Sequence, residues 1–381
     1  MRFLHTSDWH IGRTFHQVSL LDELRQVFAA LVELVVREEV DVVVASGDIF
    51  DSSTPSADAV RLLDQILLDL ADVGVRVVMT SGNHDSPARL GAKAAFAHKA
   101  GIHVITQSEE ITSPVTIDDE HGPVHFYGVP FLEPAHQRHI WSEVEPLRSQ
   151  KDAMGHALGL VRDDWQRRGG RAVVLAHTFV QGADGESCDS ERDIVGGVDK
   201  VPVNYFSDFT YAALGHIHGR AVLAPTVRYS GAPLHYSFSE AGKRRGGWIV
   251  DLDADGTREV RWLDLPVPRE LSILSGTLEE LLTDEVHAAA VGHWVSATVT
   301  DQVRPSNTMR RLQGRFPHAV ELVFAPSHVH GPDATTYAAR IRSRTDHEIV
   351  EVFLEAVRNG AGMSDEEAVL VRDVIGSRSP R

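Results

Sequence analysis

The chain has 381 residues, 43% of them hydrophobic, which is enough for one large domain and one or two smaller ones. Its 37 basic and 54 acidic residues give a net charge of −17, which argues against a surface coated in basic nucleic-acid contacts. A nuclease is not excluded, because bound divalent cations would reverse the local charge at an acidic cluster.

Several features predict a cytoplasmic protein with no membrane association. No apolar run approaches the roughly 20 residues that a membrane span requires. The chain starts directly with a strand pattern and polar site residues, which is not typical of a signal peptide. A single cysteine, Cys188, excludes an internal disulfide framework and fits a reducing compartment.

The first 265 residues alternate short β-branched runs with amphipathic helical patterns, which predicts an α/β domain. Strand–helix–strand units form right-handed parallel crossovers by default. Strands are predicted over 2–7, 40–46, 75–81, 102–106, 124–128, 171–176 and 211–214, of which the first three form parallel crossovers. Three later strands, over 227–230, 248–253 and 259–263, are predicted to form an antiparallel closing sheet. Helices on the outside of these strands indicate a four-layer αββα sandwich.

Four helices are predicted in this domain, over 19–38, 56–73, 89–100 and 152–168. Ser19 with Asp22 resembles a capping box at the start of the first helix. Residues 130–149 are predicted to form a polar loop, and residues 181–204 show neither helical nor strand periodicity of apolar residues. A loop of that length in a compact domain is usually functional or mobile.

Pro266 and Pro268 predict a domain boundary, because paired prolines stiffen and separate segments. A small α/β cap domain is predicted over 270–330, with helices over 277–283 and 307–316 and strands over 293–300 and 319–324. Residues 333–381 are predicted to be helical. Thr345 with Glu348 and Ser364 with Glu367 resemble two capping boxes, which 359–360 separates as a stop signal.

Polar side chains follow five of the predicted strands at their carboxyl ends. Such ends meet in one crevice of an open α/β sheet, where these folds place their sites. Each motif alone has an ordinary explanation, as a turn cap or a buried imidazole. Five together predict a metal site. Its candidate ligands are Asp8, His10, Asp48, Asn83, His177, His216 and His218.

Seven ligands suit two metal ions if one carboxylate bridges them. Asp48 is the natural bridge, because it is the only ligand at its strand end. Two ions about 3.5–4 Å apart can clamp a phosphate for in-line displacement. Nitrogen and oxygen ligands without a thiolate favour Mn²⁺, Fe or Zn²⁺ over Mg²⁺ and Ca²⁺.

The motifs resemble those of the calcineurin-like metallophosphoesterase superfamily and, within it, the family of SbcD nuclease subunits of bacterial SbcCD complexes. The residues that carry the resemblance span nearly the whole chain and are strongest through about residue 265. They are the segments 5–12, 46–51, 81–86, 176–177, 214–218, 229–234 and 237–240.

The resemblance implies two Mn²⁺ ions and hydrolysis of phosphodiesters by a metal-held hydroxide. One metal would be held by Asp8, His10, Asp48 and His218, and the other by Asp48, Asn83, His177 and His216. His84 would face the phosphate without ligating a metal and would stabilise charge or protonate the leaving oxygen. Asp51 or Asp85 could orient its ring, although Asp51 could equally cap a helix or turn.

The resemblance also implies a single-strand endonuclease and duplex-end exonuclease acting in DNA repair, recombination and replication, associated with the nucleoid. Its partners would be DNA ends and hairpins, an SbcC-like coiled-coil ATPase bound through 333–381, and a second copy of the chain. The terminal helices could instead pack on their own domain. The dimer helices, matching 56–73 and 89–100, could instead be buried in the monomer.

A cluster of arginines without acidic residues lies in 302–318 of this acidic chain. It predicts either a solvated helix face or contacts to the DNA backbone by the cap domain. Residues 243–245, also basic, are interpreted as a hairpin turn. The arginines of the cluster are Arg304, Arg310, Arg311 and Arg315.

Two other functions stay open: hydrolysis of small phosphoesters or phosphoproteins, and a non-catalytic scaffold of the same fold.

Overall fold

The computed structural model describes residues 1–143, 147–183, 200–326, 344–358 and 360–378. The chain divides into two compact units, Met1–Pro268 and Arg269–Arg381. Most of the predicted loop over 181–204, including Cys188, lies outside the described residues, as do the first residues of the predicted terminal segment over 333–381.

The first unit contains two six-stranded sheets and a small hairpin. The first sheet has the order β14-β13-β1-β4-β5-β6, and the second has the order β11-β12-β10-β9-β8-β7. The strands are β1 Arg2–Thr6, β2 Thr14–Phe15, β3 Val18–Ser19, β4 Val42–Ser46, β5 Arg76–Thr80, β6 Ile102–Ile105, β7 Val115–Asp119, β8 Gly122–Val129, β9 Arg171–His177, β10 Tyr211–Gly215, β11 Ala221–Ala224, β12 Val227–Tyr229, β13 Gly246–Asp253 and β14 Gly256–Asp264.

Six α-helices accompany these strands in the described part of the unit. They are α1 Leu21–Arg37, α2 Ala57–Asp72, α3 Pro87–Leu90, α4 Ala94–Ala97, α5 Pro134–Ile140 and α6 Gln150–Arg168. Helix α1 buries one apolar stripe, which includes Leu24, Phe28 and Leu31, and leaves its acidic first turn exposed. Helix α2 does the same and is capped by Ser56, whose side chain accepts a hydrogen bond from the Ala59 amide.

The two sheets pack face to face with helices outside. Phe3, Val44 and Val78 of the first sheet share a buried cluster with Phe126 and Leu175 of the second. A second cluster joins α6 to the other face of the second sheet. In both sheets the central strands are parallel, so their carboxyl ends lie at one edge. The predicted αββα sandwich is therefore confirmed.

The predicted antiparallel closing sheet of three strands is wrong. Strand β12 pairs in parallel with β10 in the second sheet, while β13 and β14 form an antiparallel hairpin on the first. The alternation of apolar and polar residues correctly predicted each strand. The pairing of the strands is decided by tertiary contacts, which this alternation does not encode. Strands β7 and β11 and helix α5 were not predicted.

Two predicted helix features are also wrong. The region 89–100 is not one helix but α3, α4 and intervening 3₁₀ turns. The backbone departs from helical values at Lys93, with φ of −108° and ψ of 6°, and Gly91 packs directly against Thr106. The capping box at Ser19 is absent, because α1 begins after Leu20 with no side-chain cap.

The second unit contains a parallel three-stranded sheet in the order β15-β16-β17. Leu281, Val295, Leu312 and Phe316 belong to its buried core. Both predicted terminal capping boxes form, at Thr345 and at Ser364. Its elements are β15 Leu271–Gly276, α7 Leu278–Thr283, β16 Trp294–Val299, α8 Thr308–Arg315, β17 Ala319–Phe324, α9 Asp346–Val357 and α10 Asp365–Arg378. Strand β15 was not predicted. Among the described residues of both units, no helix is long and apolar enough to cross a membrane.

Candidate dinuclear metal centre

The turns that follow β1 and β4 are hydrogen-bonded to each other and carry three of the predicted ligands. The Asp8 amide donates to the Gly47 carbonyl at 3.1 Å, and the His10 amide donates to the Asp48 carbonyl at 2.9 Å. Asp8, His10 and Asp48 all have left-handed backbone conformations, with φ of 53°, 44° and 49°. Left-handed backbone outside glycine is strained and clusters at functional sites.

Glycines let these strand ends approach one another closely. A Cβ at Gly82 would lie 2.1 Å from Asp48 Oδ1, and one at Gly47 would lie 2.3 Å from His177 Nδ1. A Cβ at Gly215 would overlap the Ser46 carbonyl. A glycine is therefore required in each motif, because a neighbouring side chain or carbonyl occupies the space that a Cβ would take.

Hydrogen bonds between the two sheets hold the strand ends together. Ser46 Oγ donates to the Ala213 carbonyl at 2.8 Å. The buried His5 donates through Nε2 to the Leu214 carbonyl at 3.1 Å, and its Nδ1 lies 3.1 Å from Tyr211 Oη. These bonds join β1 and β4 to β10, which brings Asp8 and Asp48 towards the ligands of the second sheet.

One half of the site contains Asp8, His10 and His218, all buried. The Nε2 atoms of His10 and His218 lie 3.1 Å apart. His10 Nε2 also lies 3.5 Å from Asp48 Oδ2. Asp8 accepts hydrogen bonds from Ser7 Oγ and from the His216 amide. Donor atoms of Asp8, His10 and His218 lie within 4.8 Å of one another.

The other half contains Asn83, His177 and His216. Asn83 Oδ1 lies 2.9 Å from His177 Nε2 and 3.1 Å from His216 Nδ1. His177 Nε2 also lies 3.4 Å from Asp48 Oδ2. Asp48 therefore contacts ligands of both halves, which is the position that a bridging carboxylate requires.

The pKa values of the site residues are shifted because these groups are buried together. Burial, with Asp48 adding to it, raises the pKa of Asp8 to about 8. Burial lowers the pKa of His10 to about 3. For His177 burial also acts to lower the pKa, but Asp48 and Asp8 outweigh it and raise the pKa to about 9.

This arrangement fits two divalent cations. His177 Nδ1 lies 2.9 Å from the Ser46 carbonyl, which only accepts, so Nδ1 carries the hydrogen and the Nε2 lone pair faces two oxygens. The Nε2 atoms of His10 and His218 likewise face each other. A cation at each point would replace repulsion between lone pairs with coordination. The donors are imidazole, carboxylate and amide, which suits Mn²⁺, Fe or Zn²⁺.

His84 lies beside this cluster, 5% exposed. Its Nδ1 donates to the Asp51 carbonyl at 2.8 Å and lies 3.9 Å from the Asp51 carboxylate. Its Nε2 lies 3.9 Å from Asp48 Oδ2. The Asp51 carboxylate instead lies 3.2 Å from His10 Nδ1 and accepts from Arg13 Nη1 at 2.7 Å.

Asp85 lies on the loop side of the site. Its carboxylate accepts backbone hydrogen bonds from Ile49, Phe50 and Gly82 at 2.8–3.0 Å. Burial, followed by the charge of Asp48, raises its pKa to about 7. Its bonds join the turn after β4 to the turn after β5 and include none to the His84 ring among the described contacts.

The predicted DNA-contacting arginines lie in the second unit. Arg304, Arg310 and Arg311 are exposed. The Arg304 guanidinium lies 5.8 Å from the centre of the Phe324 ring. Arg315 donates hydrogen bonds to the carbonyls of Leu281 and Asp284, so it caps the C-terminal end of helix α7 in the same unit.

Residues 236–245 pack behind the site and were not predicted to do so. The Tyr236 ring lies edge-on to both His10 and His218, at 5.3 and 5.5 Å between centroids. Glu240 and Arg245 form a fully buried ion pair next to His218. The only sequence signal was the resemblance of 237–240, since the interpretation of 243–245 as a turn gave no reason to place Arg245 inside.

Comparison with known proteins places this geometry in a family. A family model described as calcineurin-like phosphoesterase matches residues 1–220, more than half of the chain. The chain therefore belongs to the calcineurin-like phosphoesterase family, whose members are metal-dependent phosphoester hydrolases. A second family model, SbcD_C, described as the type 5 capsule protein repressor C-terminal domain, matches residues 267–358.

Similar solved structures are distant. TT1561 of Thermus thermophilus has 14% identity, covers 70% of this chain and 99% of its own, with a TM-score of 0.41. A dimetal phosphatase from Danio rerio has 14% identity and the same coverages, with a TM-score of 0.40. GAP50, the anchor in the inner membrane complex of Plasmodium, has 11% identity over 86% of this chain and 98% of its own, with a TM-score of 0.38.

Proposed function

We propose that this phosphoesterase is a DNA nuclease of the SbcD type, which cuts single strands internally and degrades duplex ends. Phosphodiester hydrolysis is supported by the meeting of seven candidate metal donors with one further imidazole, His84, at a single strand-end crevice. The observation that carries the SbcD assignment over a small-molecule hydrolase is the C-terminal match, because a model named for that family matches residues 267–358.

The metal ligands are proposed to divide as the contacts group them. Asp48 would bridge the two metals. Asp8, His10 and His218 would complete one position, and Asn83, His177 and His216 would complete the other. Mn²⁺ is the proposed ion at both. When bound, the two cations supply a nucleophile at neutral pH and stabilise charge on the phosphate.

His84 is proposed as the general acid. The Asp51 carbonyl accepts from Nδ1 and so fixes the ring with Nε2 towards Asp48. Nε2 can then donate a proton to the leaving alkoxide, a step that general acids accelerate by about 10²–10⁴-fold. Asp51 thus orients His84 through its backbone, while Asp85 holds together the loops on which Asp48 and His84 lie.

The second unit is proposed to contact the DNA backbone. Arg304, Arg310 and Arg311 are exposed, whereas Arg315 makes structural hydrogen bonds. Contacts of this kind position DNA without reading its sequence, which suits a nuclease that acts on ends and hairpins.

Two protein partners are proposed. Helices α9 and α10 expose Phe353, Val357 and Leu370, at 50%, 60% and 64%, which suits docking of an SbcC-like coiled-coil ATPase that makes duplex cleavage ATP-dependent. For a homodimer, α2 buries its main apolar face within the first unit but exposes Leu68, and the 89–100 region exposes Phe96 at 79%.

The proposal is tested by substrate choice. With Mn²⁺, the purified chain is expected to cut single-stranded and hairpin DNA much faster than bis-p-nitrophenyl phosphate at equal concentration. The Asp48→Asn variant, prepared identically, controls for a contaminating nuclease. Preference for the small ester would contradict the DNA assignment, and inactivity on every ester would indicate a scaffold instead.

A further inference from the structure

A buried ion pair lies directly behind one of the proposed ligands. Glu240 is 0% exposed and Arg245 is 2% exposed, and the Arg245 Nη2 atom donates to Glu240 Oε2. A buried pair of this kind costs several kcal/mol per ion in lost hydration, which the attraction between the charges only partly offsets. The presence of this ion pair therefore points to a role other than stability.

The pair holds His218 by its backbone and faces its ring. Arg245 Nη1 donates to the His218 carbonyl, which also accepts from the Ala232 amide. Glu240 Oε1 lies 3.7 Å from His218 Nδ1, while His218 Nε2 points into the site. Glu240 Oε2 additionally accepts from the Tyr236 amide at 3.1 Å, which fixes the carboxylate in place.

The two halves of the site differ in what lies behind their imidazoles. Behind His177 is a neutral backbone carbonyl, that of Ser46. Behind His218 is a carboxylate anion. A carboxylate behind a ligating histidine fixes the ring orientation and increases the basicity of the nitrogen that binds metal. This asymmetry concerns only one of the two metal positions.

We propose that Glu240, held by Arg245, is a positioning residue that orients His218 for metal binding at the Asp8–His10–His218 half of the site. This role rests on the proposed dinuclear centre. It predicts unequal effects: loss of Glu240 weakens the metal at this half, and the metal at the Asn83–His177–His216 half keeps its affinity.

The test uses the whole chain, freed of metal, and measures Mn²⁺ uptake by calorimetry together with the electron paramagnetic resonance signal of a spin-coupled manganese pair. Glu240→Asp keeps the ion pair but withdraws the carboxylate from His218. The double variant Glu240→Gln with Arg245→Gln replaces the ion pair by two neutral amides. It therefore remains informative if Glu240→Asp folds poorly. Asp119→Asn is the matched control, because Asp119 pairs with the buried Arg171 away from the site.

The wild type and Asp119→Asn are expected to bind two equivalents and give the coupled-pair signal. In both Glu240 variants, one equivalent should bind about 10–100-fold more weakly, with the signal of a single ion at intermediate concentrations. Wild-type affinity at both positions, or an equal loss at both, would overturn the role of Glu240. Failure of the wild type itself to bind two equivalents would instead contradict the proposed centre.

Discussion

The two units of the chain place their charged groups in opposite environments. The first unit buries carboxylates and imidazoles in strained turns, where Asp8, His10 and Asp48 have positive φ. The second unit leaves Arg310 and Arg311 exposed on α8, whose Leu312 belongs to a small apolar core. Strained backbone costs about 1–3 kcal/mol per residue and buried charge costs more, so the first arrangement persists only where other interactions compensate.

The difference separates two tasks. Convergent buried donors can bind cations and act on one phosphate at short range, but they cannot distinguish DNA from a small phosphodiester. Exposed arginines add little to stability, yet they attract a polyanion and respond to salt. We therefore expect substitutions in the first unit to abolish activity and substitutions in the second to change substrate or partner binding.

The largest effect is expected for Asp48→Asn. Loss of the proposed bridging carboxylate should remove both Mn²⁺ ions and lower DNA cleavage by about 10³-fold or more, since bound metals supply several kcal/mol of stabilisation to the reaction. Excess Mn²⁺, at about 100 times its dissociation constant, should stabilise the wild type by about 2.7 kcal/mol for each bound ion and leave the variant unchanged. Thermal unfolding with EDTA and with Mn²⁺ measures this, and a Mn²⁺-stabilised variant would contradict it.

The next effect is expected for His84→Ala. Cleavage should fall by about 10²–10⁴-fold, because the proposed proton donor is lost. Calorimetry should still show two equivalents of Mn²⁺, since the backbone amide of residue 84 can still donate to Asp48. Loss of a metal would show that His84 is a ligand, as its place near His10 and Asp48 would allow.

A third effect concerns the partner alone. Phe353→Asp with Leu370→Asp should abolish co-purification with a coiled-coil ATPase of the SbcC type from the same organism and leave single-strand cleavage intact. Val222→Asp, at a residue equally exposed in the first unit, is the matched control. Unchanged co-purification of the double variant would exclude these helices as the docking surface.

A smaller effect is expected for Arg310→Gln with Arg311→Gln. The slope of log affinity for duplex DNA against log salt should become shallower by about 2, which corresponds to two lost phosphate contacts. Cleavage of bis-p-nitrophenyl phosphate should not change. The same charge change at Arg25 and Arg61, exposed in the first unit, serves as the control, and an equal change in its slope would refute a specific contact.

The smallest effect on activity is expected for Asp119→Asn. The Arg171 guanidinium holds the pKa of Asp119 well below its usual range, so this pair stabilises the fold above the unfolded pKa of about 3.9. The variant should lose about 1–3 kcal/mol at pH 7. The difference from wild type should shrink as the pH falls below about 4, which urea unfolding at pH 7 and pH 3 measures.

The sequence predicted most helices and strands, and it placed the candidate ligands directly after strands, because these signals are local. A β-branched run such as 42–46 predicts a buried strand, and the polar residues directly after it must lie at its end. The placement of Glu240 and Arg245 behind His218 had no such signal. A buried ion pair depends on which loops meet, and the charges of 243–245 alone favoured an exposed turn. The irregular backbone at Lys93 had no local sequence signal either.

The central claim is that distant strand ends form one cage for two cations around Asp48. Anomalous diffraction from crystals grown with Mn²⁺ tests it most directly. Two anomalous peaks about 3.5–4 Å apart are expected, one on each side of the Asp48 carboxylate. A single peak, or two peaks that do not share Asp48, would contradict it.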